Sequence, residues 1–119
     1  MSGPDRPTVL LFAYGTLRQP EVQRTLFGRL LEGRPDALPG FALEPMRITD
    51  AKVVATSGSA IHTIARPSGD PADSVPGLLF GLKAGELEMA DRYESGAIVR
   101  IAARLASGVE AFVYIAAGP

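Results

Sequence analysis

At 119 residues and 46% hydrophobic, with 12 Lys and Arg against 13 Asp and Glu for a formal charge of -1, the chain has the size and apolar content of one compact domain. The balanced charge, with no basic run, argues against nucleic acid as a partner. The absence of cysteine excludes a disulfide framework, a thiolate nucleophile and a cysteine-ligated zinc, and the lone His62 supplies no histidine cluster, which leaves carboxylates alone to hold Mg2+ or Ca2+.

The opening "MSGPDRP" carries two prolines, a glycine and charges, so residues 1–7 are expected to be a frayed tail ahead of one domain over residues 8–119. It has no signal-peptide pattern, and no apolar run approaches a membrane span. A soluble, cytoplasmic protein with no membrane partner is expected. The first strand is predicted from Thr8 to Ala13, its nearly unbroken apolar character placing it centrally in a sheet with both faces buried. After the turn at Tyr14–Thr16, "QPEVQRTLFG" sets Val22, Leu26 and Phe27 at helical spacing, with proline early and Gly28 as the stop.

Two strands are predicted to flank a "GRPD" turn, around Arg29–Glu32 and Ala37–Leu43, with Pro39-Gly40 marking a bulge or an edge. "AKVVATS" and "AIHTIAR" then bracket Gly58 like a hairpin. Residues 67–76, "PSGDPADSVP", read as a surface loop of the long kind often found over a site. "GLLFGL" follows as a strand, "GELEMADRYES" as a helix, and "AIVRIAARLA" with "VEAFVYIAA" as a closing hairpin around Ser107-Gly108. In that last strand Ala111, Val113 and Ile115 share one face, with Phe112 and Tyr114 on the other. Strands outnumber helices, which interrupt rather than alternate with them; the fold class is therefore α+β, with a mixed, curled, barrel-like sheet and short flanking helices.

Two stretches carry candidate chemistry. Gly15 and Thr16, just past a buried strand, offer backbone N–H groups that serve either a plain strand-to-helix turn or a cradle for a carboxylate or oxyanion. The Gly-Lys-Ser/Thr ending of a P-loop is absent. In "DRYES", Asp91 and Glu94 lie three apart at a helix C-terminus, where the helix dipole raises a carboxyl pKa and suits it to be a general base. From these residues alone, the pair reads first as a solvated face joined to Arg92 or Arg100. His62, in a strand pattern with no nucleophile beside it, reads as structural. Arg18 and Arg100 suit either a substrate carboxylate or surface ion pairs.

Taken in order, "AYGTLR" after the first strand, "VPGLLFGL", "DRYES" with Arg100 following, and a final "VEAFVYI" resemble the gamma-glutamylcyclotransferase-like proteins, also called the AIG2-like family, from about Val9 to Ile115. The resemblance implies a cavity floored by Tyr14–Leu17, Glu94 as the catalytic residue, and conversion of a small gamma-glutamyl compound into 5-oxoproline and an amine, with no cofactor or metal. It further implies that Tyr14, Gly15, Thr16, Leu17, Arg18, Arg100 and Tyr114 contact the substrate. Two departures stand out: Ile98 occupies the tyrosine place of a Y-x-R pattern, and "HTIARP" lacks an aromatic residue before its proline. The alternative reading is a non-catalytic small-molecule-binding module on the same fold, and a homodimer is left open.

Overall fold

In the computed structural model, which describes residues 9–94 and 98–118, the first apolar run is strand β1 (Val9–Ala13), at the middle of a mixed five-stranded sheet. The predicted tail, with Thr8, lies outside the described residues. On one side β1 pairs antiparallel with β5 (Ser74–Leu82), from Val9 opposite Leu82 to Ala13 opposite Leu78. On the other it pairs parallel with β7 (Glu110–Ala116) at Leu11 and Phe12. The edges are β2 (Gly33–Pro39), beside β5, and β6 (Ile98–Arg104), beside β7. A separate antiparallel ribbon joins β3 (Phe41–Arg47) to β4 (Ile61–Pro67).

Because side chains alternate along a strand, each central strand serves two cores. Phe12, Val113 and Ile115 face the ribbon and pack with Ile64, Ala65, Leu38 and Val75. Leu11, Ala13 and Tyr114 point the other way, onto α1 (Pro20–Phe27), α2 (Ala51–Ser57) and α3 (Ala84–Tyr93), where they meet Val22, Val53, Ala90 and Tyr93. The alternation predicted in the last strand is thus the division between the two cores. The sheet curls without closing. Its edge strands do not pair, yet Ala106 N–H donates to the Ala37 carbonyl of β2 at 2.9 Å, and the Ser107 hydroxyl donates to Asp36 at 2.6 Å.

The early helix stands where predicted, with Pro20 in its first turn and Gly28 at φ 69 as its left-handed cap. The closing hairpin is also as predicted, apart from Ala97, which lies outside the described residues. Two expectations are corrected. "AKVVATS" is helix α2 rather than a strand: the Asp50 carboxylate accepts from Lys52 N–H at 2.9 Å and Gly58, at φ 78, caps the end, so signals at both termini outweigh its β-branched residues. The "GRPD" segment is no turn but part of β2, where Pro35 is accommodated because the strand is an edge; Arg29–Glu32 ahead of it forms no strand, and the reversal falls instead at Gly40, φ 82, inside the strand predicted over Ala37–Leu43. The loop at residues 68–73 is tied to that reversal, through Gly40 N–H to Asp73 at 2.7 Å and Ser68 N–H to Gly40 at 3.0 Å.

α3 positions the site. It leaves β5 beside the start of β1, and its 10 residues, about 15 Å of helix, run back along the sheet so that Tyr93 and Glu94 arrive where β1 ends.

Candidate active site

Where β1 stops, Gly15 leads into a 3-10 turn, Thr16–Arg18, closed by Arg18 N–H to the Gly15 carbonyl at 3.1 Å and Gln19 N–H to Thr16 at 2.9 Å. A turn of this kind leaves its first N–H groups without internal partners. Among the described residues, Gly15, Thr16 and Leu17 donate no backbone hydrogen bond. The buried Gln23 braces the turn from behind, its Nε2 donating to the Leu17 carbonyl at 2.9 Å while its Oε1 accepts from Leu31 N–H. Gly15 adopts φ -116, so left-handed geometry is not why it is glycine. A Cβ there would meet only the Thr63 carbonyl, at 3.8 Å across the pocket, so the missing side chain leaves room between the turn and β4.

The enclosed part of that pocket is small, about 30 Å³, and it adjoins a groove of about 540 Å³, within the range of small-molecule sites, that shares Met46, Ile48, His62, Glu94 and Ile98 with it. Gly15, Thr16 and Leu17 form one wall, Met46, Ile48 and Ile98 an apolar one, and Glu94 stands among them. Glu94 caps α3 with non-helical backbone, φ -92 and ψ 35. Its carboxyl has no hydrogen-bond or ion-pair partner among the described residues, and burial pushes its pKa up to about 7.

The chain's three tyrosines all converge here, close enough for the Glu94 charge to raise each hydroxyl's pKa. Burial is the main cause in every case, and all three stay protonated at neutral pH. The Tyr14 hydroxyl accepts from Ala65 N–H at 2.9 Å and donates to the Tyr114 carbonyl, bolting the end of β1 to both β4 and β7. Tyr114 lines the pocket with its ring and donates its hydroxyl to Asp91 at 2.7 Å. Tyr93 meets Thr16, hydroxyl to hydroxyl, at 2.6 Å.

Over residues 11–119 the sequence matches the family model described as "Gamma-glutamyl cyclotransferase, AIG2-like". The chain belongs to the AIG2-like gamma-glutamyl cyclotransferase family. Solved structures share its fold: an uncharacterized human protein (TM-score 0.73, 18% identity, 95% of this chain and 69% of that one) and a protein titled gamma-glutamyl cyclotransferase (0.70, 19%, 92% and 67%). A protein of Arabidopsis thaliana is similar too (0.69, 20%, 94% and 70%). This chain therefore spans about two-thirds of the length of these structures. Among curated proteins none matches it.

Of the residues expected to serve the site of this AIG2-like chain, Tyr14, Gly15, Thr16, Leu17, Glu94 and Tyr114 are brought together around one pocket. Arg18 and Arg100 are not. Arg18 is exposed, its Nε donates to the Gly15 carbonyl at 3.2 Å, and it lines a more open groove that shares Gly15, Thr16, His62 and Thr63 with the pocket. Arg100 lies over the Phe112 ring, 4.5 Å to its centre, and grips Asp91 at 2.8 and 3.2 Å. The two carboxylates of "DRYES" thus part ways: Asp91 takes the surface ion pair, and Glu94, one turn on, takes the pocket.

Other lining residues escape a reading of the sequence. Met46 comes from β3 and Ile48 from just past its end, and their only signal is an apolar residue at every second position. His62 also lines the pocket, with Nε2 2.9 Å from the Ser57 hydroxyl and 3.1 Å from the Ser59 carbonyl; burial lowers its pKa, so the ring is neutral at pH 7. Among the described residues, no group of three or more His, Asp and Glu is placed to hold a metal ion, and no helix is long and apolar enough to cross a membrane.

Proposed function

We propose that the chain is a cyclotransferase that releases 5-oxoproline and a free amine from a small gamma-glutamyl compound, with Glu94 as general acid and base. One observation carries this reading: a carboxyl with no partner among the described residues, its pKa near 7, lines the same pocket as a turn with unused backbone N–H groups, beside a groove large enough for a small molecule. The family supports it, and so does the likeness to a structure titled gamma-glutamyl cyclotransferase.

In such a substrate the α-ammonium and the γ-carbonyl belong to one molecule, and a bent conformation makes attack intramolecular. Glu94 takes one proton from the ammonium, and the freed lone pair attacks the γ-carbonyl carbon. The N–H groups of Gly15, Thr16 and Leu17 hold either the α-carboxylate or the oxygen that becomes negative. Glu94 passes its proton to the leaving nitrogen, takes the second from the ring nitrogen, and the bond to the amine breaks. Two protons leave the α-nitrogen and two reach the amine, which departs as an ammonium. No water is consumed. A carboxyl near pKa 7 is suited to both directions of transfer, where an ordinary glutamate near ~4.3 gives up its proton too readily.

The test is 5-oxoproline release from a panel of gamma-glutamyl amino acids and gamma-glutamyl-ε-lysine, with Glu94→Gln alongside. Turnover that disappears in the folded variant supports the reading. Saturable binding of a panel member without turnover moves the chain to a binding module instead.

A further inference from the structure

We propose that Tyr93 is a positioning residue that fixes, through its hydroxyl contact with Thr16, the separation between the Glu94 carboxyl and the amide donors of the Gly15–Leu17 turn. The inference rests on the cyclotransferase reading and deepens it.

The two halves of the site come from different elements. The donors belong to a three-residue 3-10 turn with two internal backbone hydrogen bonds, a weak unit by itself. The carboxyl belongs to the cap of α3, whose non-helical backbone is no longer held by the helix beyond one bond, Glu94 N–H to the Ala90 carbonyl at 2.9 Å. Among the described residues, the 2.6 Å contact between Thr16 Oγ1 and the Tyr93 hydroxyl is the hydrogen bond that joins α3 to the turn. It acts at the residue next to Glu94 on one side and at a donor residue of the turn on the other.

Both anchors are firm. The Tyr93 ring is 6% exposed in the helix-side core, and Gln23 holds the turn from its far side. The burial that keeps the Tyr93 hydroxyl protonated also preserves it as a neutral hydrogen-bonding group while Glu94 changes charge beside it. A substrate bent between donors and base tolerates little change in their spacing, since a displacement of about 1 Å can cost about 100-fold in rate.

The test combines Tyr93→Phe, Thr16→Val and the double variant, read by kcat, KM and an NMR titration of the Glu94 carboxyl in the free protein. Phenylalanine keeps the buried ring, and Thr16 is half-buried, so at least one single variant retains the fold, as checked by circular dichroism. Each single change is expected to lower kcat by about 10- to 100-fold, the double no further than either. The Glu94 midpoint should fall from about 7 toward 4.5 as the carboxyl gains solvent. Unchanged kcat and an unchanged titration in a folded variant, or multiplicative losses in the double, overturn the proposal. The titration reads the carboxyl's surroundings whether or not any gamma-glutamyl compound is turned over. A wild type without activity whose variants still shift the midpoint upholds the positioning role and rejects the cyclotransferase.

Discussion

Glu94→Gln tests the electrostatics of the pocket independently of its chemistry. The wild-type carboxyl ionises near 7 in the folded chain and near 4.5 when unfolded, because burial penalises its charge. It therefore binds its proton more tightly when folded, and the resulting stabilisation is full below pH 4.5 and lost as pH rises through about 7. Each tenfold change in acidity is about 1.36 kcal/mol, so the loss amounts to about 3 kcal/mol. Glutamine is neutral throughout, while all other titrating groups are common to both proteins and cancel. Urea denaturation should give near-equal stabilities at pH 4 and a variant about 3 kcal/mol more stable at pH 8, on the order of 10 °C in Tm. The same variant should lose about 100- to 10,000-fold in kcat. A stability difference that does not change between pH 4 and pH 8 would refute the claim that Glu94 is a partly buried, desolvated and destabilising charge kept for its chemistry.

Gly15→Ala should leave stability nearly unchanged, since its Cβ meets only one carbonyl at 3.8 Å, while KM or kcat worsens because the methyl occupies the pocket; equal kinetics would show that the turn does not approach the substrate. Gly77→Ala, by contrast, drives a Cβ to 2.5 Å from the Ala13 carbonyl, so urea denaturation should register a loss of about 1–3 kcal/mol or more. Tyr14→Phe strips a buried amide, Ala65 N–H, of its acceptor and should cost about 1–3 kcal/mol, seen as a lower urea midpoint.

Much of this fold is legible in the sequence because its signals are local. A strand apolar on both faces is central, and a proline-to-glycine segment with helical spacing is α1. The errors arise where two local signals compete. Val53, Val54 and Thr56 speak for a strand, and only Asp50 before them and Gly58 after them betray a capped helix. Pro35 looks like a turn residue until the neighbour it lacks on one side is known. In the site, Glu94 was legible as a carboxyl at a helix end, whereas its separation from Asp91 was not, because it depends on Arg100 and Tyr114 reaching Asp91 from other strands. Arg18 and Arg100 carry the right charge at the right place in the chain, yet Arg100 is engaged by Asp91 and Arg18 lines the adjoining groove rather than the pocket itself.

The parallel pairing of β1 with β7 also bears on how the chain comes to be folded. β1 is synthesised before both of its sheet neighbours, Ser74–Leu82 and Glu110–Ala116. At about 5–20 residues per second, the interval before β7 is made is roughly 5–20 s. Throughout it the most apolar segment of the protein has at least one open edge, a template for aggregation. The pocket, which needs Tyr14 and Tyr114 together, forms last. A nascent chain halted before β7 therefore has an open sheet edge and an incomplete site.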